Sequence, residues 1–251
     1  MSIRQVYQEA KHFRESSKNK RAIDGFTSRL RWQAHFIQKF EMEDSMEFVS
    51  VNKGYHKLSK RVNLTYQKAW KEGKTGYPLV DACMRCLCET GYLNFRMRAM
   101  TLSFFTHNLW QPWQDAKYHL AQQFLDFEPG IHYPQIQMQA GETGINMLRI
   151  YNPVKNSYEH DEDGEFIKKW IPELANVPIA YIHEPWTMSV LEQQFCNTVI
   201  GEDYPAPIID IKKTAKYAGD VLWKLKDDNM VKRDAYRILR RHTLANRNNF
   251  D

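Results

Sequence analysis

The chain has 251 residues, 43% hydrophobic and 13% aromatic, with a formal net charge of +5 and a sequence pI near 8.9. A chain of this length buries a full core, and one domain over residues 1–251 is expected. No apolar run reaches the ~18 residues of a membrane span and no signal-peptide core opens the chain, so a membrane protein is excluded and a cytoplasmic one expected. The charge suits an ordinary soluble surface or a polyanionic partner equally.

In chain order, the first clear pattern is an amphipathic helix over residues 25 to 41. Apolar residues stand at positions 26, 30, 36, 37 and 40, with Arg29 and Trp32 among them. On pattern alone Trp32 reads as a core aromatic. The stretch from Lys53 to Lys74 is basic, with Lys57, Lys60, Arg61, Lys68 and Lys71 between. Such a run reads as a solvated helix face that is also able to touch phosphates.

Three helices follow between Trp70 and Asp126. Gly76 breaks what precedes, Pro78 suits a first helical position, and Val80, Met84 and Leu87 form an apolar stripe that Gly91 ends. A second helix from about Asn94 to Asn108 carries Phe95, Met97, Leu102 and Phe105, with Arg96 and Arg98 among them. Guanidinium groups under such packing require anionic partners, and the nearest following carboxylates are Asp126 and Glu128. A third helix runs from Pro112 to Leu125.

Cys83, Cys86 and Cys88 lie close together, but positions i, i+3 and i+5 of one helix do not converge on one ion, and Cys196 is far downstream. Reduced, mostly buried thiols are expected, and no iron–sulfur cluster. Residues 127–146 contain two prolines and three glycines with neither helical nor strand period, and read as a long functional loop. Beyond lie the acidic run His160 to Gly164, a helix end at Trp170 to Leu174, and a basic C-terminal helix ending Arg237 to His242. That helix reads as solvated with Tyr236, Ile238 and Leu239 buried, or alternatively as a DNA contact. Nothing shows the strand–helix alternation of an α/β domain.

The run Trp70-Lys-Glu-Gly-Lys-Thr-Gly-Tyr-Pro-Leu-Val-Asp-Ala-Cys-Met-Arg85 resembles the flavin-binding helical domain of DNA photolyases and cryptochromes. Arg149 to Pro153, Gly164 to Leu174, His183 to Trp186 and Tyr204 to Pro207 agree in order and spacing, and the resemblance covers roughly residues 1 to 210. It implies an all-α fold with long functional loops, bound FAD, no antenna chromophore because the N-terminal α/β domain is lacking, and a monomer acting on damaged DNA. The opening Ser2 to Tyr7 is similar to the family sequence just after its flavin-phosphate loop, which would lie upstream of Met1. Thr27-Ser-Arg-Leu30 spells nearly the same letters, but its place in the next helix does not carry that role.

Residue by residue, the resemblance places Phe26 beside the flavin, Gln33 where the family has an arginine, and Phe95 where it has an asparagine near the adenine. Arg98 falls on the arginine that pairs across the flavin with Asp126, as a buried ion pair. Phe127 and Glu128 follow in the same cofactor site, and His132 reaches the position facing flavin N5. Trp32 takes the place of the tryptophan that stacks on damaged pyrimidines, and Arg29 that of a glutamate which bonds the lesion. Arg96 and Arg149 are expected to meet DNA. Ile136 and Met138 stand where two tryptophans do, the first hop of the photoreduction chain and a wall of the lesion pocket. Trp113 keeps the middle position of that electron chain, but Ile136 breaks the three-tryptophan wire, so Trp110, Tyr133 or Trp113 would have to form another route. The functions implied are light-driven repair of pyrimidine dimers, single strands being the easier target, or cryptochrome-like photoreception without repair.

Overall fold

All regular structure in residues 1–243, the part described by this computed structural model, is helical, apart from one bridge between Ile200 and Tyr204. Residues 244–251 of the expected domain lie outside the described residues. The helices are α1 (Ile3–Ser16), α2 (Lys20–Met42), α3 (Leu64–Glu72), α4 (Pro78–Thr90), α5 (Phe95–Ser103), α6 (Gln114–Gln123), α7 (Pro129–Gln139), α8 (Pro153–His160), α9 (Glu165–Trp170), α10 (Ile179–Ile182), α11 (Val190–Phe195), α12 (Ile211–Lys226) and α13 (Asn229–His242). A π-helical turn, Phe104–Asn108, continues α5. The expected all-α class and the three central helices are therefore present.

The core is built round α4. Pro78 opens it and Val80, Cys83, Met84 and Leu87 are fully buried, each apolar side chain of this size contributing roughly 1.5–3 kcal/mol. Asp81 is buried among them because its carboxylate accepts the Thr75 and Gly76 N–H groups, the Thr75 hydroxyl and the Tyr204 hydroxyl, at 2.6 to 2.9 Å. Gly91 ends α4 with φ +71°, and its carbonyl accepts the Leu125 N–H at 3.1 Å. A Cβ at Gly91 would lie 2.5 Å from Leu125 Cγ, so only glycine lets the segment before Asp126 dock here.

The second half of α2 lies alongside α7, running the same way. A Cβ at Gly130 would fall 2.7 Å from Ile37 Cα, and one turn on Phe40 stacks on Tyr133 with centroids 5.6 Å apart. The first half of α2 extends past the start of α7 and is accompanied by α1, none of whose residues is buried.

Three expectations are corrected. Residues 129–139 form α7 rather than loop: Glu128 caps the helix through the Gly130 N–H at 3.0 Å and Pro129 opens it. The apolar period is masked by Pro134 and by Gln137, a buried polar residue. The Gln137 amide accepts the Val51 N–H at 2.7 Å and donates to the carbonyls of Met46 and Val49 at 2.7 and 2.9 Å. Lys60 is no solvated lysine, because its side chain is only 2% exposed and pairs with Glu142. On α13, Ile238 is buried but Tyr236 is exposed. Cys83, Cys86 and Cys196 are buried and Cys88 is exposed, all four as free thiols.

His107 gives the core a pH dependence. Its Nε2–H donates to the Ala140 carbonyl at 3.0 Å, and Nδ1 accepts from Ser103 Oγ at 2.9 Å, which fixes a neutral ring. Burial, and then the Lys60 charge, hold its pKa down at about 3. The unfolded chain, titrating near 6.5, binds the proton first, so stability is expected to fall by several kcal/mol as pH drops from about 6.5 toward 3. Urea unfolding at a series of pH values checks this. A slope that is unchanged in His107→Gln would contradict the assignment.

Candidate functional site

Arg98 is held from three sides. Asn94 caps α5 through the Met97 N–H, which sets the helix start, and Arg98 Nε donates to the Leu93 carbonyl at 2.7 Å. Its Nη2 reaches both Asp126 oxygens at 2.9 and 3.0 Å, and the guanidinium lies 3.9 Å from the Phe124 centroid and 5.7 Å from that of Tyr92. The ion pair is formed, but it is not buried: the Arg98 and Asp126 side chains are 27% and 56% exposed. The expectation is of a pair buried alongside the isoalloxazine; the protein's own elements leave it open, because Asp126 sits on the link between α6 and α7.

Beside the pair stand exposed apolar side chains, Tyr92, Phe95, Leu125 and Phe127. Charge and aromatic surface are thus presented together. His132, on the first turns of α7, packs edge-on against Phe127 and Phe124 at 5.1 and 6.3 Å. Its Nε2–H donates to the Lys117 carbonyl at 2.8 Å, which leaves Nδ1 as an acceptor. Burial holds the His132 pKa down at about 4, aided by the Arg98 charge and opposed by the Lys117 bond, so the ring is neutral at neutral pH.

The α2 residues share one face of their helix. At about 100° per residue, Phe26, Arg29, Trp32 and Gln33 fall within an arc of roughly 120°, the same side that carries Phe36 and Phe40 further along. Since Ile37 and Phe40 meet the first turns of α7, this face continues past the α7 N-terminus, toward the end of the molecule where Phe124 to Glu128 enters. Trp32 is 52% exposed and, among the described aromatics, touches only His35 and Phe36 of its own helix, so it is not a core residue.

Other predicted residues are spread more widely. Arg96 is exposed, and its nearest partner is His160 Nε2 at 3.1 Å rather than a carboxylate. Met138 is partly buried near the end of α7, and Arg149 is exposed on the chain leading to α8. Trp113 is wholly buried, its indole N–H donating to Glu142 Oε2 at 3.1 Å and Ser50 Oγ at 3.3 Å. Trp110 lies beneath Lys60, with Nζ 4.9 Å from its centroid. The sequence reading passes over Ser50 and Glu142 and takes Lys60 only as part of a solvated basic run. Their only local signal is Glu142 between two glycines, whereas the contacts that matter cross 82 to 92 positions.

No helix among the described residues is long and apolar enough to cross a membrane. Residues 26–224 match the family model of the FAD binding domain of DNA photolyase. The chain is 33% identical over 220 residues to a deoxyribodipyrimidine photo-lyase of Alkalihalophilus pseudofirmus, covering 87% of this chain and 45% of that one. In three dimensions it is similar to a bacterial class III photolyase from Agrobacterium tumefaciens, with a TM-score of 0.82 and 25% identity over 91% of this chain and 48% of that one. A cryptochrome from Synechocystis gives a TM-score of 0.82 and 26% identity over 88% and 46% of the two chains. The chain spans about half the length of these proteins.

Proposed function

Since this chain belongs to the family of photolyase and cryptochrome FAD-binding domains, we propose that it binds FAD between α2 and the Phe124–Glu128 segment and uses light to reverse pyrimidine dimers in DNA. The observation that carries this reading is the Arg98–Asp126 pair, formed in the absence of burial and flanked by exposed aromatic side chains. That donor set fits an isoalloxazine, a flat apolar ring with a polar edge. Arg98, Asp126, Phe127 and Glu128 would hold one side, and Phe26, Gln33 and Phe95 would border the cofactor. Glu128 has one oxygen committed to capping α7 and the other to offer. When bound, reduced FAD supplies light-driven one-electron donation to the dimer.

The protein's own share is binding, orientation and exclusion of water. Arg98 and Asp126 balance charge at the ring edge, and His132 keeps a neutral acceptor beside them. Trp32 offers an exposed face for a splayed base, with Arg29 one turn away on the same face and Arg96 and Arg149 meeting phosphates. Single-stranded lesions suit this surface best, because extrusion there costs less than in a duplex. No antenna pigment is invoked.

A photoreceptor without repair is the second reading, favoured by Arg29, Phe95 and Met138, which depart from residues that repair enzymes use. One experiment separates the two. Protein reconstituted with FAD and reduced is illuminated with ultraviolet-damaged oligonucleotide, and restored thymines are counted against a dark control. Repair is expected on single strands. A coloured, reducible protein that restores none supports photoreception, and a protein that takes up no flavin removes both readings.

A further inference from the structure

The most confined ion pair among the described residues is Lys60–Glu142, with side chains 2% and 6% exposed and Nζ to Oε1 3.3 Å apart. Lys60 also donates to the Thr106 carbonyl at 3.1 Å. The other carboxylate oxygen, Oε2, faces the other way and accepts the Ser50 hydroxyl at 2.6 Å and the Trp113 indole N–H at 3.1 Å. A buried ion pair is an expensive way to fix one tryptophan, since a neutral acceptor holds an indole N–H equally well without desolvating two charges. A carboxylate differs from such an acceptor in one respect: it can take the proton.

We propose that Glu142 is the proton acceptor of Trp113, so that oxidation of this indole is coupled to transfer of its N–H proton to Glu142 Oε2. The proposal rests on the reading of Trp113 as a member of the photoreduction route to the flavin. One electron leaves the indole for the photoexcited flavin, the Nε1–H bond breaks, and an O–H bond forms on Glu142. What remains is a neutral indolyl radical and a neutral carboxylic acid, with Lys60 the only charge of the former pair. Without this transfer a radical cation would sit at a fully buried position, which disfavours the step and speeds charge recombination.

The proton has an exit. Glu142 and Ser50 also line a cleft of about 250 Å³, shared with Tyr55, His56, Lys60 and Gln114. The His56 ring is bonded to the Ser50 carbonyl at 2.8 Å through Nε2. Glu142 is thus reached by the indole on one side and by the cleft on the other. The groups that face it are Lys60, Ser50, Trp113 and the Tyr55 ring, whose hydroxyl pKa burial and the Glu142 charge push up to about 12, so Tyr55 does not compete as a base.

Transient absorption after a light flash on FAD-reconstituted protein reads the radical directly. The neutral tryptophanyl form is expected to dominate and to form more slowly in heavy water. In Glu142→Gln the neutral form should appear roughly a hundredfold more slowly, with the cation band in its place, as for loss of a general base. Because that variant strands Lys60, the double variant Lys60→Met with Glu142→Gln serves where the single one does not fold, and should behave alike. The same bands are read in cofactor-free protein after ultraviolet photo-ionisation, as the difference between wild type and Trp113→Phe. A persistent cation in wild type, no isotope effect, or unchanged kinetics in the Glu142 variants overturns the proposal. Photoreduction that survives Trp113→Phe overturns the electron route instead, and the cofactor-free measurement still decides the proton acceptor, so the two failures are told apart.

Discussion

Arg98→Ala and Asp126→Ala are each expected to weaken FAD retention by roughly 10- to 100-fold, while leaving the fold intact. The guanidinium is fixed by the Leu93 carbonyl, by both Asp126 oxygens and by the Phe124 face, so it is pre-oriented for the proposed contact with the ring edge. Asp126 is more than half exposed, so losing either partner does not strand a fully buried charge, and the effect on stability should be small. The effect on the cofactor should be large, because a flavin that covers the pair makes the remaining charge uncompensated. Flavin absorbance per protein after reconstitution and dialysis measures this. Arg85→Ala is the control: it breaks an ion pair with Glu173, at 2.8 Å, that shares no residue with the proposed cofactor site, and should keep its flavin. If both site variants retain and reduce FAD as the parent does, the pair is not part of the cofactor site.

Trp32→Ala is expected to weaken binding to a dimer-containing single strand by about 5- to 150-fold, the equivalent of roughly 1 to 3 kcal/mol for a base stacked on an aromatic face. Flavin content should not change. The prediction follows from exposure: half of Trp32 is open to solvent and its aromatic neighbours lie on its own helix, so truncation opens no core cavity. Arg96→Ala and Arg149→Ala should instead weaken damaged and undamaged strands about equally, with a shallower dependence on salt. Fluorescence anisotropy with the two oligonucleotides across a salt series distinguishes these patterns. Equal affinity of Trp32→Ala and parent for the damaged strand would remove Trp32 from the lesion site.

By itself the sequence determined those features whose causes are local. The helix from Pro78 to Gly91 follows from a proline at its first position, an apolar stripe within it and a left-handed glycine after it, and all three operate over a few residues. The resemblance likewise pairs Arg98 with Asp126 across 28 positions, and the structure forms that pair. Tertiary structure decided the rest. Residues 129–139 become helical because α2 and the Met46 to Val51 segment supply what Pro134 and Gln137 take away. Lys60 is indistinguishable from its lysine neighbours until Glu142 and Thr106 close over it. Whether an ion pair is buried depends on what lies above it, and a single sequence does not display that: Lys60–Glu142 lies between the Thr106 carbonyl and the Trp113 indole, and Arg98–Asp126 stands on an open link between two helices.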